Sequence, residues 1–198
     1  FKQQAVKLTE KQNLFLYLLG MFYNLFIPLV GGEAYKVYFI STRQNIQVKK
    51  LVWASLIDRG SGLLALTAFT LWFAAGSSFS FPYKQLAPFV FPIGYIAWHL
   101  FIQLFFESYL RVIHTTNLLS LLVQGTQALC AYCVMQALGV QLHTVDYLFI
   151  FLLSCYAYMI PVIGAREMAF VFGAKFMGLD MNLSLAISLF FYLSLAVT

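Results

Sequence analysis

The chain has 198 residues, 62% hydrophobic and only 10% charged, with twelve Lys and Arg against seven Asp and Glu. Soluble domains carry about 25% charged residues, so this composition excludes a soluble globular domain and implies a polytopic membrane protein. The net charge of +5 does not point to nucleic acid: the basic residues lie in short gaps between apolar runs, where anionic head groups and the cytoplasmic preference of Lys and Arg account for them.

At ~20 residues per span the length has room for about five to seven membrane segments. The expected fold is all-α, a polytopic helical membrane protein forming a single transmembrane domain over residues 1–198. The chain opens on Phe1 and stops at Thr198 inside an apolar run, which reads as part of a longer membrane domain. Residues 1–13, with Lys2, Lys7, Glu10 and Lys11, suit an interfacial stretch. Residues 14–30 are apolar but short for a span, and they end in Pro28 and the pair Gly31-Gly32. Residues 33–50 form a basic link with Lys36, Arg43, Lys49 and Lys50.

Residues 51–75 are a strong span, yet Asp58-Arg59 lies about two turns in, with Gly60 and Gly62 following. Residues 76–83 form a Gly/Ser/Pro turn region. Residues 87–106 are a second span, expected to bend or break around Pro92 and Gly94. Residues 107–117 read as a polar link containing Arg111 and His114, and 118–140 as a third span. A loop at 141–146 carries His143 and no Lys or Arg. Residues 147–163 repeat the short apolar run, ending in Pro161 and Gly164; 166–179 read as an amphipathic helix and 183–197 as a last span.

The two short runs match at an offset of 133 residues, the interval from Pro28 to Pro161. The same offset brings Tyr23 onto Tyr156, Ile27 onto Ile160, Gly31 onto Gly164 and Ser55-Leu56 onto Ser188-Leu189. Paired broken segments are a recurring transporter signature, so the expected repeat halves are about 14–75 and 147–198. If residues 14–30 crossed the membrane fully, Lys2, Lys7 and Lys11 would lie opposite Lys36, Arg43, Lys49 and Lys50. A re-entrant segment puts all seven on one face, with Lys84 outside and Arg111 inside. The three spans between the two breaks then set the halves in opposite orientation, an inverted repeat with two re-entrant segments.

Charges inside apolar runs need an explanation, because one at a helix centre costs about 2.5–3.5 kcal/mol on insertion scales. Asp58 and Arg59 point about 100° apart and cannot form the helical i,i+4 pair. Each therefore needs a partner elsewhere, in an ion pair that holds the bundle or in the lining of a polar cavity. Glu33 and Lys36 share a face just after Gly31-Gly32, where a restarting helix would offer free N–H groups to a phosphate; interfacial snorkelling is the other reading. Arg166-Glu167 takes the equivalent place after Gly164. His99 is expected to be a helix contact, and His114 and His143 loop residues. Cys130, Cys133 and Cys155 are expected to be small buried hydrophobes. No HExxH, phosphate-binding glycine loop, nucleophile elbow or metal-binding acidic pair is present. No catalytic residue, metal or cofactor is therefore expected, and the chain reads as no enzyme.

The order Asn24, Pro28, Gly31-Gly32, Lys36, then Asp58-Arg59 with Gly62, then Pro161, Gly164 and Arg166-Glu167 resembles the flippase-like integral membrane family. That family includes the transmembrane region of lysylphosphatidylglycerol synthases (multiple peptide resistance factors) and stand-alone bacterial and archaeal relatives. Lys36 stands where the family usually has Arg, which keeps the charge but loses bidentate phosphate geometry. The resemblance implies translocation of an anionic or polyprenyl-phosphate-linked lipid across a bacterial or archaeal cytoplasmic membrane. Arg59, Lys36 and Arg166 would meet the phosphate, while Asp58, Glu33 and Glu167 hold those cations or meet an amine. The alternative is a non-catalytic subunit that anchors or regulates a lipid-modifying or sugar-transferring enzyme, with an ion-coupled solute transporter third. Expected partners are membrane lipid, a lipid-synthesising or glycosyltransferase enzyme, and a second copy of the chain.

Overall fold

The computed structural model describes residues 9–26, 31–82, 84–160, 162 and 164–197. Among these residues the fold is all-helical: α1 (Glu10–Phe26), α2 (Gly31–Gln44), α3 (Val48–Gly76), α4 (Ala87–Phe105), α5 (Leu110–Ala137), α6 (Thr144–Cys155), α7 (Ala165–Phe176) and α8 (Met181–Val197). Pro28 and Pro161, the expected re-entrant breaks, lie outside the described residues. The chain forms two compact units, one up to Gly60 with the stretch around Met159, the other Ser61–Ala157 and from Gly164 onward.

In the first unit, Thr9 starts α1 with a reciprocal cap. Its Oγ1 accepts the Gln12 N–H at 3.3 Å, and the Gln12 Oε1 accepts the Thr9 N–H at 3.1 Å, which satisfies two otherwise open donors. The chain then doubles back, and α1 packs against α2. At the crossing Gly32 lies so close to Gly20 that a Cβ on Gly32 would collide with the Gly20 backbone. Only a residue without a side chain permits that approach. Val37 and Ile40 on the apolar side of α2 cover Leu51 of α3. Asn45, with φ 55°, makes the turn between α2 and α3; Asn is one of the few residues that tolerates the left-handed region.

In the second unit, Phe151, Phe170, Phe191, Leu152, Ile187 and Met135 are buried in one core made by α5, α6, α7 and α8. Three expectations need correction here. The polar link at 107–117 is helical, because α5 begins at Leu110 after a 3-10 turn over Glu107–Tyr109. His114 is thus a helix residue; its Nδ1 meets the Tyr95 hydroxyl at 2.7 Å and its ring stacks on His99 at 5.2 Å. No Gly or Pro between Gly94 and Gly125 stops that helix. The resulting stretch Glu107–Ala137 is, among the described residues, the one helix long and apolar enough to cross a membrane by itself.

Secondly, the break expected around Pro92 and Gly94 is absent, and α4 is one continuous helix through both. Pro92 is its sixth residue, so the missing N–H would have served only the Pro88 carbonyl. Thirdly, the cysteines are not all interior: Cys133 is exposed and Cys130 and Cys155 are half-buried. The outer surface stays apolar, with Ile93 67% and Leu104 77% exposed on α4.

The 133-residue offset carries one set of element boundaries onto the other. It moves α1 onto α6 and the 3-10 turn Tyr156–Met159, α2 onto α7, and the first residue of α3 onto Met181, the first of α8. It also brings Asn45 onto Gly178, and both have positive φ, 55° and 69°.

The first turn of α6 is anchored by a charge. Asp146 is almost fully buried, accepts the Ser78 backbone N–H at 2.6 Å, and lies 3.0 Å from His143 Nδ1. Burial pushes its carboxyl up, but the Ser78 N–H and His143 outweigh it and hold the carboxyl below the ordinary range. A depressed carboxylate stabilises the fold above its unfolded pKa of ~3.9, and that stability is lost as pH falls through the folded value. Asp146→Asn should therefore lower stability at neutral pH by about 1.5–3 kcal/mol and narrow its gap to the parent protein as the pH drops below ~4, read by thermal unfolding in detergent.

Candidate functional site

The first unit gathers charge at the start of α2. Glu33 is in its first turn and Lys36 one turn further on. Glu33 Oε1 lies 3.2 Å from Lys36 Nζ, and Oε2 accepts the Ser55 Oγ–H at 2.7 Å. That second bond ties α2 to α3. Gly20 leaves room for the Lys36 stem, since a Cβ there would stand 2.9 Å from Lys36 Cε. The ammonium group lies over the Tyr17 ring at 5.5 Å, a favourable position for a cation.

Asp58 and Arg59 follow Ser55 by three and four residues, so all three share a side of α3. Both lie within electrostatic reach of Glu33, and Asp58 also of Lys36. Four of the six expected charged residues are therefore brought together, two acids and two bases around Ser55. Asp58 is exposed while Glu33, Lys36 and Arg59 are half-buried, so the cluster opens on the Asp58 side. A phosphate could be met by the two cations and an amine by Asp58.

Arg166 and Glu167 belong to the second unit, and their setting differs. Gly164 precedes α7 with φ 85°, a conformation that suits glycine. Arg166 is 3% exposed. Its guanidinium lies 4.7 Å from the Phe191 ring centre and 5.5 Å from that of Phe151. Nη2 donates to the Ser188 carbonyl and hydroxyl oxygens, each at 3.4 Å, and Nε is 3.7 Å from Glu167 Oε1. The expectation that Arg166 meets a head group finds its side chain enclosed.

At the 133-residue offset Arg166 falls on Glu33, and Lys36 on Ala169. Opposite charges thus occupy equivalent helix starts, each tied to the equivalent serine, Ser55 or Ser188. Ser55 and Ser188 were visible in the sequence only as matching letters of the offset. Phe151 and Phe191 carried no signal apart from the apolar runs around them.

Helices with an apolar outer surface, and charges solvated by side chains of their own unit, define a helical integral membrane protein. The chain belongs to the lysylphosphatidylglycerol synthase TM region family, whose model matches residues 2–117. The match contains Glu33, Lys36, Asp58 and Arg59 and ends before Arg166. No curated protein and no solved structure matches the chain. Family membership places the protein in a membrane and relates it to lipid modification or translocation.

The two settings predict different costs. Arg166→Gln should lower stability by about 2–4 kcal/mol, from lost ring contacts and charged hydrogen bonds. Lys36→Gln, in a more open pair, should cost below about 1 kcal/mol. Thermal unfolding in one detergent compares them, and equal melting temperatures would contradict the enclosed role of Arg166.

Proposed function

We propose that this domain moves a lipid with an anionic or polyprenyl-phosphate-linked head group between the leaflets of a bacterial or archaeal cytoplasmic membrane, without catalysing a covalent step. The observation that carries the reading is the four-charge cluster of Glu33, Lys36, Asp58 and Arg59 around Ser55. Its cations are poised by acids rather than neutralised by apolar packing, and it opens at Asp58. A head group crossing ~30 Å of hydrocarbon needs such polar stations. Lys36 and Arg59 are assigned to the phosphate, and Asp58 to an amine where the head group carries one. Arg166 and Glu167 are assigned to holding α7 in place within the second unit.

The same reading takes the domain as multi-pass, with five to seven membrane segments and an inverted repeat built on re-entrant breaks at Pro28 and Pro161. The coincident element boundaries and the shared left-handed turn at Asn45 and Gly178 support duplication. The distribution of basic residues supports opposite orientation. A lipid-synthesising or glycosyltransferase enzyme and a second copy of the chain are the proposed partners. A non-catalytic anchoring subunit is the rival reading, and the enclosure of Arg166 is the observation that favours it.

Leaflet exchange in liposomes holding the full-length protein tests the transport reading, with one anionic and one zwitterionic lipid. Lys36→Gln and Arg59→Ala should each slow anionic exchange about tenfold or more, the loss of one charged contact, with little change in melting temperature. Unchanged exchange in both variants would leave the anchoring reading standing. Topology has its own check. Cysteines at Lys11 and Arg43 should label from the same side of the membrane, and labelling from opposite sides would remove both the re-entrant segment and the inverted repeat.

A further inference from the structure

A second polar feature lies wholly within the second unit, on α3, α4 and α5. Five buried side-chain atoms there have no hydrogen-bond partner: Ser61 Oγ, Trp98 Nε1, Asn117 Oδ1 and Nδ2, and Gln124 Oε1. Ser61 is 1% exposed and Asn117 5%. An unsatisfied buried group costs about 1–3 kcal/mol, and hydrocarbon supplies no water to relieve it. Several such atoms in one region are unusual in a native fold.

Three of these residues fall at one level. A Cβ on Gly94 of α4 would stand 3.4 Å from Leu64 of α3, and one on Gly125 of α5 would stand 3.4 Å from Phe69 of α3. Helices α4 and α5 meet where Tyr95 and His99 contact His114. With short connections, α4 runs antiparallel to α3 and α5 parallel to it. From the Leu64 and Gly94 pair, three residues back along α3 reach Ser61 and four forward along α4 reach Trp98. Those steps are about 4.5 and 6 Å in the same direction. From the Phe69 and Gly125 pair, eight residues back along each helix reach Ser61 and Asn117 together. Ser61, Trp98 and Asn117 therefore lie within about one helical turn of the same height along the three helices. Gln124, seven residues from Asn117, continues the same face of α5.

The side chains themselves are neutral. Residues 61–76, 87–105 and 112–137 contain no Asp, Glu, Lys or Arg, and the nearest charges on α3, Asp58 and Arg59, precede Ser61 by three and two residues. A hydroxyl and an amide that both donate and accept, beside an indole that only donates, match the hydroxyls of a ligand. We infer that Ser61, Trp98 and Asn117 form a binding site for a neutral, multiply hydroxylated group, such as a sugar or glycerol head group presents. The site rests on the chain binding lipid, not on its moving lipid.

Equilibrium lipid retention by the full-length protein in detergent, read by native mass spectrometry, tests this. The probes are glucosyl diacylglycerol, phosphatidylglycerol and phosphatidylethanol, the last carrying the phosphodiester charge without free hydroxyls. The parent protein should retain a hydroxylated lipid about tenfold better than phosphatidylethanol, or ~1.4 kcal/mol. Preference for the glucosyl lipid identifies a sugar site, and preference for phosphatidylglycerol a glycerol site. Asn117→Leu and Trp98→Phe should abolish the preference while melting no lower, because an unsatisfied group has been removed. Should Asn117→Leu fail to fold, the smaller change Ser61→Ala decides. Equal retention of all three lipids overturns this site alone, as do variants that melt lower yet keep the preference, which would make these packing residues. Retention of none overturns the lipid-transport reading with it.

Discussion

The carboxylate of Glu33 has to be solvated by the protein, and the first unit depends on how that is done. Ser55 reaches it from α3 and Lys36 from the next turn of α2. The Ser55 bond crosses from one helix to the next and fixes the carboxylate in place, while the Lys36 pair is the more open of the two. Lys36 can take its place only because Gly20 leaves space for its stem, and Gly20 is also where α1 touches Gly32. One close approach of two backbones therefore sets the hairpin, the lysine and the link to α3. Asp58 and Arg59 join the cluster because they follow Ser55 by one helical turn.

The second unit meets the same physical demand with the opposite charge. Arg166 occupies the position equivalent to Glu33, and Ser188 serves it as Ser55 serves the acid. A guanidinium is weakly hydrated and stacks on aromatic faces, so Phe151 and Phe191 can complete its surroundings where water is absent. A carboxylate has no such option, since the face of an aromatic ring is negative. The acidic version must keep a cation beside it. That difference leaves the first cluster open and ionic, and the second closed and aromatic.

Also in the second unit, α3, α4 and α5 show a third way of placing polarity in a membrane protein. The outward side chains of α4 are apolar and exposed, as lipid requires. Inward, the seam of α5 carries Asn117 and Gln124 among Ile113, Ala128 and Met135. Glu33 and Arg166 in the two modules are bonded by side chains of their own unit. The neutral groups of this seam are left for something else to satisfy.

Much of this was legible in sequence. Composition set the all-helical membrane class, because no soluble core tolerates so few charges. The offset of 133 residues matched the helix boundaries that the structure shows in the two stretches, and the motif order pointed to the family that residues 2–117 confirm. The charged pair in α3 stood out because a charge in an apolar run is expensive wherever it lies. Other features depended on distances that no periodicity encodes. The link expected at 107–117 became helix because its histidine stacks on α4, and polarity alone does not stop a helix. The openness of Asp58, the enclosure of Arg166 and the level shared by Ser61, Trp98 and Asn117 were decided only by tertiary packing. Sequence displays the cost of placing a polar group in hydrocarbon, but which neighbour relieves that cost depends on the crossing of helices far apart along the chain.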